Sequence, residues 1–251
     1  MGRRMSAAER DLLYVLDEGE SRSGPERALL LARVAAGLRD GRARDDPAIL
    51  PLGRRDRLIL DLHATLFGTE VEAQDSCPQC GELVTFTLTV DALDDVPPTA
   101  SEPVRVELDG CTVTCRLLTG GDLLAATAPR AVGAHGREAL LAAAVLTAER
   151  QGAPVAPIDL PAPVVDAVVG ALARADPFAE LRLHLLCEVC DHAWDAVLDL
   201  AHFVWCEVRD WGRRLVRDVH MLARAYGWRE GDVLALPHAR REAYLRLVLD
   251  G

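Results

Sequence analysis

The chain has 251 residues and a formal net charge of -11; half of the residues are hydrophobic and only 4% are aromatic. Such a composition suits a folded chain with a core of Leu, Val and Ala, while the acidity disfavours a nucleic-acid partner, because phosphate binding needs clustered cations. No stretch approaches the ~18 uninterrupted apolar residues of a membrane span, and no apolar run follows Gly2-Arg3-Arg4 to make a secretory signal.

The first seventy residues read as helices. Ser6 and Glu9 have capping-box spacing, and a short helix through Leu12, Leu13 and Leu16 should end near Gly19. Ser23 and Glu26 repeat the device with Pro25 in the first turn, starting a helix that runs to about Leu38. Residues 40–48 are charged and end in Asp-Pro, which marks a linker. A third helix is predicted over 54–67, with Leu58, Leu62 and Leu66 on one stripe and Gly68 as its stop. Arg54-Arg55-Asp56-Arg57 is the densest basic cluster, and it reads as a solvated helix face.

The period then changes. Val84, Phe86, Leu88 and Val90 alternate with threonines, as a half-buried strand requires. Asp109-Gly110 is a favoured hairpin turn, and it sets Leu108 opposite Cys111, Val106 opposite Val113 and Val104 opposite Cys115, all on one face. Residues 121–175 read as helix, broken at Pro129, at 152–157 and at 161–163. Gly120-Gly121-Asp122 lacks the phosphate-loop pattern and is read as a helix start. Leu181, Leu183 and Leu185 predict a strand, and another runs through Trp194 to Leu198. From Val204 through Val208, Trp211, Leu215, Val219 and Leu222 to Tyr226 the apolar spacing is three or four, which gives a helix of about 24 residues. Pro237 opens a last helix, expected to turn Tyr244, Leu247 and Val248 inward.

Two C-x-x-C knuckles carry the chemistry: Cys77-Pro78-Gln79-Cys80-Gly81 and Cys187-Glu188-Val189-Cys190-Asp191-His192. Two intervening residues let both sulfurs turn toward one ion, and Gly81 frees the backbone to make the turn. Cys77, Cys80, Cys187 and Cys190 together supply the closed four-thiolate set of one structural zinc ion. A redox C-x-x-C sits between strand and helix, whereas strands flank both pairs here; disulfides would need an oxidising compartment. About a hundred residues separate the pairs, where compact ribbons have ~15–20, so an insertion must loop out and return. His192 is read as lying outside the ligand shell, and Cys111 and Cys115 as core residues on the apolar hairpin face, with Cys206 packed on the C-terminal helix. The remaining histidines, His63, His135, His184, His202, His220 and His238, are scattered, and no catalytic constellation emerges.

The expectation is therefore a non-enzymatic α+β protein. Residues 1–69 form an N-terminal helical segment, 70–90 and 181–199 a discontinuous zinc ribbon, 91–180 an inserted hairpin with helices, and 200–251 a C-terminal helical segment. Trp205 lies off the long stripe and Trp228 follows Gly227, which makes both candidate interface anchors.

Several segments also carry a resemblance: Asp11-Leu12-Leu13, Pro25-Glu26-Arg27-Ala28-Leu29, Leu50-Pro51-Leu52-Gly53-Arg54-Arg55-Asp56 and Leu66-Phe67-Gly68 before the first knuckle, then Asp176-Pro177-Phe178-Ala179-Glu180 before the second. Trp211, Leu222-Ala223-Arg224-Ala225-Tyr226-Gly227-Trp228 and Arg241-Glu242-Ala243-Tyr244-Leu245 follow. Over nearly its whole length the chain resembles the baseplate hub assembly proteins of T-even-type contractile phage tails, especially cysteine-bearing members from gene clusters of phage-derived extracellular contractile injection systems. The resemblance implies an assembly chaperone or structural adaptor in the bacterial cytoplasm, with baseplate, hub or spike proteins as partners, possible retention in the finished particle and no catalysis. The competing expectation is a zinc-ribbon nucleic-acid-binding or transcription accessory protein.

Overall fold

The structure is a computed structural model and describes residues 7–40, 46–101, 103–127 and 134–250. The Ser6–Glu9 capping box, most of the 40–48 linker, the break at Pro129 and the His135 side chain lie outside the described residues. In chain order the elements are α1 (Ala7–Gly19), α2 (Gly24–Asp40), α3 (Leu52–Leu66), β1 (Glu70–Ser76), β2 (Leu83–Thr89), β3 (Val104–Leu108) and β4 (Cys111–Cys115). They continue with α4 (Gly120–Ala126), α5 (Ala134–Ala144), β5 (Val145–Arg150), β6 (Ala153–Pro154), α6 (Ala162–Ala175), β7 (Leu181–Leu186), β8 (Ala193–Leu198), α7 (Leu200–Tyr226), α8 (Glu230–Leu234) and α9 (His238–Asp250). The fold is α+β, as expected. The chain forms two compact units, one of Gly24–Phe203 and one combining Met1–Ser23 with Val204–Gly251.

Among the described residues of the larger unit three antiparallel sheets form: β1-β2, β3-β4-β5-β6 and β7-β8. The Asp109-Gly110 turn has both residues at positive φ (49° and 72°), the primed turn that matches strand twist, and the register is the one expected. Cys111, Val113 and Cys115 are buried together with Val164 and Val168 of α6, so both cysteines serve as core hydrophobes. Two strands depart from the sequence reading. Val145–Arg150 is a strand, not helix: it completes the open edge of β4, setting Ala148 opposite Val113, and turns back through Gln151-Gly152, both at positive φ. Glu70–Ser76 is also a strand, paired residue for residue with β2, although it buries only Val71.

The start of α3 is fixed by distant residues. The Gly53 N–H donates to Asp176 Oδ2 at 2.9 Å, and the Thr99 hydroxyl donates to the other oxygen at 2.7 Å. Asp176 thus satisfies an orphan donor of the first helical turn from 123 residues away. Only glycine fits at Gly53, since a Cβ there would lie 2.0 Å from Asp176 Oδ1. The solvated face expected at 54–57 is half wrong. Arg54 is exposed, but Arg55 and Asp56 are each 6% exposed and pair at 2.7 Å. Burial raises the Asp56 pKa, and the Arg55 charge opposes that rise. Arg57 reaches Asp94 and lies over the Phe178 ring at 5.5 Å. The buried side of α3 is Ile59, Leu60, Leu62 and His63, wider than the Leu58-Leu62-Leu66 stripe. The Gly120-Gly121-Asp122 segment does start a helix: Thr119 and Asp122 form its capping box, and the hydrogen-bonded Arg116 guanidinium holds the Asp122 pKa down.

In the smaller unit α1 and α7 touch through glycines. A Cβ on Gly19 would fall 2.4 Å from the Trp205 ring, and one on Gly212 2.2 Å from Leu16. Trp205 is 1% exposed, a core residue and not the interface anchor allowed by the sequence. Trp228 stacks on Tyr226 at 4.8 Å and meets Tyr244 edge-on at 4.9 Å. The long stripe holds at Val204, Val208, Leu215 and Leu222, while Tyr226 at its end is 40% exposed. Leu247, expected inside, is 65% exposed, because the buried side of α9 carries Arg241, whose Nε lies 3.6 Å from Asp218.

The hairpin geometry gives a direct expectation. Cys111→Ala or Cys115→Val should leave metal content unchanged and alter only packing, by roughly 1 kcal/mol in a denaturation series; loss of stoichiometric metal in either variant would refute the core assignment.

Candidate metal centre

Each knuckle is the tip of a two-stranded hairpin. β1 delivers Cys77, and β2 leaves after Cys80; β7 delivers Cys187, and β8 leaves after Cys190. The two turns are built alike from different residues. The Gly81 N–H donates to the Cys77 carbonyl at 2.9 Å, and the Asp191 N–H donates to the Cys187 carbonyl at 2.9 Å. The Cys77 N–H in turn donates to the Glu82 carbonyl at 2.8 Å, matched by Cys187 to His192 at 2.9 Å. Both turns need a left-handed residue after the second cysteine: Gly81 at φ +77° and Asp191 at φ +56°. Glycine meets that need without a Cβ, and Asp is among the side chains that tolerate it.

The knuckles face each other. Cys77 Sγ lies 3.6 Å from Cys190 Sγ, and Cys80 Sγ lies 3.7 Å from Cys187 Sγ. All four sulfurs fall within 4.8 Å of one another, so these four residues can hold one metal ion. Four thiolates at ~2.3 Å from a tetrahedral ion stand about 3.8 Å apart, which these separations approach. Cys77 and Cys187 are buried, Cys190 half-buried and Cys80 exposed. The sulfurs also differ in ionisation. Burial opposes the Cys77 thiolate, yet the N–H groups of Cys80 and Gln79 and the neighbouring thiols stabilise it and bring its pKa to about 7. At Cys190 the His192 N–H favours the thiolate, but burial and the three other sulfurs outweigh it and push the pKa to about 12. The neighbouring sulfurs thus oppose full ionisation of the set, and a cation among them would offset that repulsion.

A lateral tie braces the junction: Trp194 Nε1 on β8 donates to Asp75 Oδ2 on β1 at 3.0 Å, and His192 stacks on the same indole at 6.2 Å. The sequence reading missed this tie. Its only signal was placement, since both residues lie within four positions of a cysteine. His192 lies outside the four-sulfur group, as expected. Among the described residues no other set of three or more His, Cys, Asp or Glu side chains gathers in this way. His63 is buried between the Phe67 and Phe203 rings, His184 contacts Asp195 at 3.0 Å, and His202, His220 and His238 are exposed. Cys206 is half-buried beside Arg209. No family model, curated protein or solved structure matches the chain, and no described helix is long and apolar enough to cross a membrane.

Cys80→Ser and Cys187→Ser should each lower bound metal and the thermal midpoint together, because the ion's binding energy is folding energy. Elemental analysis and a melting curve on the same samples check this; unchanged metal content would show that the ion sits elsewhere.

Proposed function

We propose that the four thiolates hold one structural zinc ion, and that the chain is a non-enzymatic assembly chaperone or structural adaptor for the baseplate or spike of a phage-tail-like contractile injection system. The observation that carries this reading is the closed four-sulfur cluster joining two hairpin tips. Thiolate sets favour zinc, and a shell of four protein ligands leaves no position for substrate or activated water. The ion then acts as a fastener that lets a small β unit present a fixed surface.

The resemblance supplies the partner class. Two of the segments that carry it, Leu50–Asp56 and Asp176–Glu180, meet in space through the Gly53–Asp176 hydrogen bond. The proposed setting is the bacterial cytoplasm, where thiolates stay reduced; retention in the assembled particle is part of the same proposal. A net charge of -11 weighs against the rival nucleic-acid role.

The test is co-expression of the tagged chain with the baseplate, hub and spike proteins of a phage-tail-like contractile injection system. Selective co-purification of one of them as a stoichiometric complex is the expected result. Recovery of nucleic acid that is lost as salt rises, with no baseplate protein, would favour the regulator instead.

A further inference from the structure

The smaller unit has a surface whose chemistry is complementary to itself. Between α1 and α7 runs an open groove of about 640 Å³. Its floor is apolar: Leu13 and Leu16 come from α1, and Gly212 marks the close approach of the two helices. One side carries Asp17 of α1 and Glu20 just past its end; the other carries Arg209 and, one turn apart further along α7, Arg213 and Arg217. Val216 stands between these arginines, 68% exposed, as an apolar knob on the basic side. The Arg213–Asp210 contact at 3.3 Å joins exposed side chains of one helix and leaves the arginine accessible to another acid.

We propose that this groove is the contact surface between two copies of the chain in a two-fold dimer. A two-fold contact requires one patch to serve both subunits, so that residue i meets j and j meets i. With the axis along the groove, the basic side of each copy lies over the acidic side of the other. Arg213 and Arg217 then face Asp17 of the second copy, and each Val216 enters the Leu13–Leu16 floor opposite. With the axis across the groove, arginines would face arginines and acids acids, which costs association free energy. Charge thus selects one of the two arrangements, with the α7 helices parallel. The formal charge of -11 repels two copies at long range, so attraction has to come from this local pairing and from burial of Val216. The inference is independent of the proposed baseplate role and of the metal.

Sedimentation over a concentration series tests it with the full-length chain. The native protein should show a reversible monomer–dimer equilibrium. Arg217→Asp and Asp17→Arg should each weaken the dimer by about tenfold or more, since each replaces attraction by repulsion across the axis. The double variant Asp17→Arg/Arg217→Asp should recover much of the lost affinity, and Val216→Arg should abolish association. All these positions are on the surface or the groove, and metal content with circular dichroism confirms that each variant is folded. A native chain that stays monomeric throughout would overturn the proposal. So would a dimer indifferent to both single reversals, or a double variant no better than the singles.

Discussion

A hairpin of two short strands cannot bury enough apolar surface to persist alone in water, and this protein contains two of them whose tips must meet. β1-β2 buries Val71, and β7-β8 buries Leu181, Leu185 and Ala196. What joins them is the cluster of Cys77, Cys80, Cys187 and Cys190, whose facing pairs are 113 and 107 residues apart in sequence. The long separation adds little to the entropy of closure, because loop cost grows only logarithmically with length. A metal ion held there would supply the energy that the small sheets lack and would close the whole insertion into one loop.

The insertion is also clamped at its own base. The Ala100 N–H donates to the Ala175 carbonyl at 2.8 Å, joining the chain's departure to its return. The next residue, Asp176, binds Thr99 and caps α3, so the strand entering the second knuckle starts from a fixed point. The Trp194–Asp75 bond then sets one hairpin against the other beside the sulfurs. Knuckle, lateral tie and helix cap form a chain of constraints that places the four thiolates without help from a large core.

How much of this was legible depends on the range of the signal. The knuckles and the Asp109-Gly110 hairpin are local patterns, with spacing and turn chemistry written within a few residues; the hairpin has the expected register, and the four knuckle sulfurs come together. The α7 stripe is equally local and holds along most of its length. β1 is hard to read because its alternation rests on only two apolar residues, Val71 and Ala73, set among Glu70, Glu72, Gln74 and Asp75, and its strand character comes from pairing with β2. β5 follows directly on the Ala-rich α5, and only the open edge of β4 makes it extended. The Arg55–Asp56 pair looked solvated because charge alone does not reveal a buried partner one residue away. The burial of Trp205 depends on Gly19, nearly two hundred positions earlier, where the missing Cβ leaves room for the indole. In each case the deciding contact is distant in sequence or invisible in composition.

The tetrathiolate is the claim on which the fold and the proposed role both rest, and X-ray absorption at the zinc edge of the purified protein tests it most directly. Four sulfur scatterers at ~2.3 Å, with no nitrogen or oxygen in the first shell, are the expected result. A shell containing imidazole or water, or a folded protein without zinc, would contradict it.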